Sequence, residues 1–144
     1  MPEILHDFPI NATPEEVFAA VSTPTGLDSW WTLRSTGAAA EGQCFQLDFG
    51  PDYVWRARVT ECRPAEAFEL EMVEAMPDWT GSTVRFDLSE AVGGGTQLRF
   101  AHRGWDETSE HFRISSFCWA MYLRIMRRKL EHGEEVPYEQ RLEV

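Results

Sequence analysis

Residues 108–133 read TSEHFRISSFCWAMYLRIMRRKLEHG, and this stretch decides the fold. From 108 to 132 there is no glycine or proline, so nothing interrupts a helix. Ile114, Phe117, Cys118, Met121, Tyr122, Ile125 and Met126 recur three and four residues apart and form one apolar stripe. Trp119, Leu123 and Leu130 widen it. Arg127, Arg128, Lys129 and His132 crowd the end where the helix dipole is negative, and Gly133 stands where a left-handed capping residue belongs. Such a helix is about 40 Å long, enough to cover the apolar face of a whole sheet.

The chain before it supplies that sheet. From Gly42 onward the period is two. Phe45, Leu47 and Phe49 alternate with polar residues, as do Tyr53, Trp55, Ala57 and Val59. The same holds for Phe68, Leu70 and Met72, for Val84, Phe86 and Leu88, and for Leu98, Phe100 and His102. Five successive strands with one apolar and one charged face predict an antiparallel meander, wet on one side. Gly93-Gly94-Gly95 joins STVRFDLSE to TQLRFAHRG as a hairpin loop; no helix follows it, so it is not a phosphate cradle.

Earlier still, Ile4, His6, Phe8 and Ile10 share one face of a first strand. Thr13-Pro14-Glu15-Glu16 has the form of a helix start, and Val17, Phe18 and Val21 give that helix an apolar side before Pro24 ends it. A second helical turn is expected over 26–31, followed by a polar, glycine-rich stretch at 32–42 and, at the other terminus, an extended acidic tail from 134 to 144.

The composition narrows the function. The 144 residues predict a single domain, 1–144. Thirteen Lys and Arg against 24 Asp and Glu leave a formal charge of −11. That balance argues against nucleic acid, whose affinity rests on basic residues meeting phosphates, and against an anionic membrane surface. No run of 18 apolar residues predicts a membrane span, and MPEILHDFPI lacks the form of a signal peptide. Cys44, Cys62 and Cys118 are odd in number and far apart, which fits free thiols and a cytoplasmic location. No H-x-x-x-H, H-E-x-x-H or G-x-S-x-G string occurs, so neither a metal, a cofactor nor a hydrolase nucleophile is expected. Six Trp and nine Phe, by contrast, point to a ring-lined cavity.

Several strings together resemble a known family. They are Ile10-Asn11-Ala12-Thr13-Pro14-Glu15-Glu16-Val17-Phe18, Pro24 through Leu27, Trp30-Trp31, Gly104-Trp105, then Trp119, Tyr122 and Leu123, with Leu130-Glu131-His132-Gly133 closing the last helix. The chain resembles the START-like, or Bet v 1-like, helix-grip superfamily, and within it the family named after the C-terminal domain of the activator of Hsp90 ATPase. The resemblance implies an α+β helix-grip fold: about seven antiparallel strands curved around a long C-terminal helix, with two short helices after the first strand. It also implies an apolar cavity between sheet and helix, since superfamily members bind lipids, sterols and polyketides. The eponymous co-chaperone carries a further N-terminal domain that contacts Hsp90, and this chain has no room for one, so Hsp90 is not an expected partner.

The candidate ligand-binding residues are Trp30, Trp31, Phe45, Trp55, Phe68, Leu70, Phe86, Phe100, His102, Trp105, Phe117, Met121 and Tyr122. The loop 74–81, with Met76 and Trp79, and Arg34 are placed at the entrance. By strand parity His102 and His6 point inward, and if the first and last strands pair their imidazoles could meet. The leading expectation is a binding protein for a hydrophobic or amphipathic small molecule. The alternatives are a cyclase- or dehydratase-like enzyme in the same cavity, with His102 and Tyr122 or His6 moving protons, and an interaction module such as a homodimer.

Overall fold

In a computed structural model, which describes residues 1–144, the alternating runs become strands: β1 (Ile4–Ile10), β2 (Arg34–Thr36), β3 (Cys44–Asp48), β4 (Val54–Arg63), β5 (Ala67–Glu74), β6 (Thr83–Glu90) and β7 (Thr96–Arg103). They form one sheet in the order β1-β7-β6-β5-β4-β3-β2. Every pairing is antiparallel, and β1 joins the meander beside β7 with Ile4 opposite His102. Register shifts between Arg56 and Ala57 and between Val59 and Glu61 bend the β4–β5 pair. The charged face carries ladders of opposite charge; Arg85 reaches Glu61, Glu69 and Asp87.

β2 is the seventh strand, and it lies inside the stretch read as polar and glycine-rich. Three residues are too few to show a period of two; pairing with β3 and the Arg34–Asp48 ion pair at 2.6 Å hold it.

The helices are α1 (Pro14–Ser22), α2 (Pro24–Asp28) and α3 (Glu110–His132). Thr13 Oγ1 accepts the Glu16 N–H and Thr23 Oγ1 accepts the Gly26 N–H, so each short helix is capped by a threonine and begins on a proline. The second helix therefore starts earlier than expected, and Trp30-Trp31 lie beyond it. Ser109 caps α3, and Gly133 ends it at φ 70°.

α3 lies across the concave face with Trp119, Leu123 and Met126 buried against the sheet. The sequence stripe ran round more than half the helix, and the structure does not bury all of it. Met121 and Ile125 are covered, but Phe117, two positions from Trp119 and so about 200° around the axis, is 78% exposed.

The tail is not extended. It turns into a 3₁₀ segment (Tyr138–Glu143) pinned by Arg141, whose guanidinium donates to the carbonyls of Asp28, Val136 and Thr32 at 2.7, 3.0 and 3.2 Å. Arg141 is only 6% exposed. Tyr138 adds a 2.9 Å hydrogen bond from its hydroxyl to the Phe49 carbonyl.

Candidate functional site

The inward residues of the central strands fill one end of the grip. Trp30, Phe45, Phe68, Leu70, Phe86, Phe100, His102, Trp105 and Met121 are all buried in the core. Their rings pack edge to face and tilted: Phe45 on Phe68, Phe86 on Phe100, and Phe100 on Trp119 at 4.5 Å. Of the residues chosen from the sequence, these nine build the wall's backing.

At the other end the space stays open. A cavity of about 330 Å³ lies between the β3–β4 end of the sheet and the first half of α3. Trp31, Trp55 and Tyr122 line it, as the sequence suggested, together with Phe49, Tyr53, Trp79, Ile114, Cys118, Trp119 and Tyr138. Five of the rings close a circuit. Trp31 meets Phe49 at 5.4 Å, Phe49 meets Trp55 at 4.9 Å, Trp55 meets Trp79 at 5.0 Å, Trp79 meets Trp119 at 5.8 Å, and Trp119 meets Trp31 at 5.0 Å. Tyr53 and Ile114, each about half exposed, stand at the mouth. Arg34 is not in the lining. A larger groove of about 700 Å³ runs between the two short helices and the end of α3, but no aromatic ring lines it, and Glu16, Asp28, Lys129, Glu135 and Arg141 put charges along it.

No Asp, Glu, Lys or Arg lines the cavity. Burial pushes the Tyr122 hydroxyl up to about 12, and it raises the Cys118 thiol and the Tyr138 hydroxyl as well. Ten of the twelve lining residues are apolar or aromatic; the two others are His111 and Ser115. His111 Nδ1 sits 2.8 Å from both carboxylate oxygens of Asp78. Ser115 Oγ accepts the Trp79 indole N–H at 3.2 Å.

His102 has no exposed surface. The Trp119 indole N–H donates to its Nδ1 at 3.1 Å, so the ring proton resides on Nε2 and donates to Ser82 Oγ at 2.7 Å; the Ser82 hydroxyl in turn donates to the Trp79 carbonyl. Both nitrogens are committed, and burial pushes the imidazole down to about 3. His102 is thus a neutral structural brace that orients Trp119, without a free nitrogen for proton transfer. His6 does not reach it: β1 pairs with β7 so that His6 lies opposite Phe100, on which its ring stacks at 6.1 Å.

His111, Ser115, Cys118 and Tyr122 step three and four residues along α3, so their common face was legible in principle. The sequence reading took Cys118 and Tyr122 into its apolar stripe and left out the polar members His111 and Ser115. Phe49 and Tyr53 continue the two-residue alternation of Phe45 and Leu47 and of Trp55 and Ala57 just beyond the ends of β3 and β4, and were not chosen; Tyr138 comes from the tail, where no periodicity marks it.

A curved antiparallel sheet gripping a terminal helix over a ring-lined cavity defines a helix-grip protein. The chain belongs to the family of Activator of Hsp90 ATPase homolog 1-like proteins, whose model matches residues 11–131. The solution structure of the Aha1 dimer from Colwellia psychrerythraea is similar at 30% identity and a TM-score of 0.84, covering 93% of this chain and 99% of that one. A Bacillus halodurans protein is similar at 25% identity and a TM-score of 0.75, over 91% and 98% of the two chains. CalU16 from Micromonospora echinospora shares the fold at 23% identity and a TM-score of 0.73, over 96% and 83%. No functionally curated protein matches the chain. No helix is long and apolar enough to cross a membrane.

Proposed function

We propose that this chain binds an uncharged, ring-bearing hydrophobic small molecule in the cavity between β4 and α3. The observation that carries the reading is a space of about 330 Å³ that the protein's own side chains leave unfilled, bordered by the contacting rings of Trp31, Phe49, Trp55, Trp79 and Trp119. A cavity of this size and lining is typical of small-molecule sites. The absence of ionised groups among its ten apolar and aromatic residues favours a neutral ligand, because a buried charge would go uncompensated.

The test is native mass spectrometry of freshly purified protein beside Cys118→Phe. The half-buried Cys118 forms part of the wall, and a ring there occupies the cavity. The wild type should carry a noncovalent adduct, or take up added naphthalene, and the variant should do neither. Equal uptake by both proteins would refute the reading.

A second reading rests on Phe117, exposed to 78% on the outer side of α3, and on Ile114, exposed to 51% at the cavity mouth. Together with the dimeric relative from Colwellia psychrerythraea, they support a homodimer across that face. Sedimentation velocity should then show a dimer that Phe117→Asp converts to a monomer; a monomer at every concentration excludes it.

A further inference from the structure

We propose that His111, held by Asp78, and Ser115 form the polar anchor of the cavity and take a hydroxyl group on the bound aromatic molecule. The proposal rests on the cavity reading above and names the ligand's functional group.

The geometry is specific. A carboxylate only accepts hydrogen bonds, so the 2.8 Å approach of His111 Nδ1 to both Asp78 oxygens places a ring proton on Nδ1. In the neutral imidazole Nε2 then carries the lone pair, and it makes no hydrogen bond within the protein. The ring cannot easily turn away. It lies nearly parallel to Trp79, 28° between planes at 6.3 Å, and Trp105 meets it edge-on at 5.9 Å. His111 is partly exposed, with 32% of its side-chain surface open, so a ligand entering the cavity reaches it.

Ser115 stands one turn further along α3, on the same face. Its oxygen is occupied by the Trp79 N–H, which leaves its own hydroxyl hydrogen to be donated. The cavity therefore offers one acceptor and one donor about one helical turn apart, on an otherwise apolar wall.

That pair discriminates between functional groups. A hydroxyl satisfies both partners, donating to Nε2 and accepting from Ser115. A carbonyl or ether oxygen satisfies only Ser115 and leaves Nε2 facing a second lone pair. A carboxylate has no proton to give Nε2 and brings a charge that no Lys or Arg in the wall meets. With eight of the twelve lining residues being Trp, Tyr or Phe, the fitting ligand class is a phenol or naphthol, a flat ring system carrying a hydroxyl. His111 would be the contacting residue and Asp78 a positioning residue, acting through the imidazole.

The test compares 2-naphthol with its methyl ether, 2-methoxynaphthalene, by titration calorimetry on the full chain. In the wild type 2-naphthol should be favoured, and His111→Phe, which keeps a ring but removes the acceptor, should reduce the ratio of the two affinities about five- to tenfold. Binding of the ether should change little. Asp78→Asn should also reduce the ratio, and the long-range ¹H–¹⁵N spectrum of His111 should show the loss of the fixed Nδ1–H tautomer, an effect that a merely structural Asp78 would not produce. A ratio identical in wild type and His111→Phe, with both probes bound, overturns the anchor and leaves the cavity reading standing. If neither probe binds the wild type, or Cys118→Phe binds them equally well, the cavity reading fails and the anchor fails with it.

Discussion

Replacing His102 with glutamine should remove an acid sensitivity that the core builds in. The imidazole is fully buried and hydrogen-bonded at both nitrogens, and burial holds it down to about 3. In the unfolded chain an ordinary histidine titrates near ~6.5. Between those values the unfolded state binds a proton that the native state refuses, so stability is fully present above the unfolded value and drains away as the pH falls. For one such site the linkage amounts to about 2 kcal/mol between pH 7 and pH 5. Glutamine can accept from the Trp119 N–H and donate to Ser82, so the brace keeps its bonds without the titration. Urea unfolding at a series of pH values gives the comparison. The wild type should lose about 2 kcal/mol more than His102→Gln over that range, through the midpoint and not the slope. Carboxylates such as Glu61, which Arg85 and Arg63 hold down to about 2, titrate lower and are common to both proteins. Parallel losses in the two proteins would refute the reasoning, because His102 would then be protonating inside the native structure. Should the variant not fold, the ¹⁵N shifts of His102 in the wild type answer the same question: they should report the neutral Nε2–H tautomer down to pH 5.

Two further outcomes follow from close packing and from the tail. A methyl group at Gly26 would lie 2.2 Å from the Ala19 carbonyl oxygen and 2.7 Å from Ala20 Cα, so Gly26→Ala must push α2 off α1 and should cost about 3 kcal/mol in thermal or urea unfolding; a neutral effect would mean that the two helices do not touch there. Arg141→Ala removes the donors to three backbone carbonyls and should cost about 2 kcal/mol while speeding hydrogen exchange in 134–144 and in the α2–β2 loop; unchanged exchange there would show that Arg141 does not pin the tail.

The sheet was legible because β3 to β7 are long enough to repeat a two-residue pattern and their charged faces are solvated. α3 was legible because 25 residues lack any breaker and end on a glycine. Both are backbone-scale regularities. β2 was missed because it shows no period of its own and depends on pairing with β3. The docked tail was missed because its anchor is a single arginine whose partners are carbonyls more than a hundred residues away, and carbonyls carry no sequence signal. The cavity was legible as a class of feature and not as a place. Fifteen Phe and Trp residues announce more ring volume than a small core needs, but which rings fill space and which surround it is settled by side-chain packing in three dimensions. Phe86 and Phe100 obey the same strand pattern as Trp55, yet the first two lie deep in the filled end and the third borders the opening.

The two histidines on either side of Trp79 show how strongly surroundings, rather than residue type, decide chemistry. His102 lies 4.5 Å from the Trp79 ring centre and His111 lies 6.3 Å away. Strand parity made His102 the conspicuous candidate, but an indole N–H and a serine hydroxyl occupy both of its nitrogens and none of its surface is exposed. His111 sits in the first turn of a helix, where a polar residue attracts no notice, yet a carboxylate fixes one nitrogen and the cavity leaves the other unpaired. A neutral indole and a hydroxyl can only sequester an imidazole; a carboxylate at the rim orients it and leaves it free to act. On the anchor proposed above, specific recognition lies where the aromatic core stops, at the first turns of α3, and not on the strand whose pattern pointed inward.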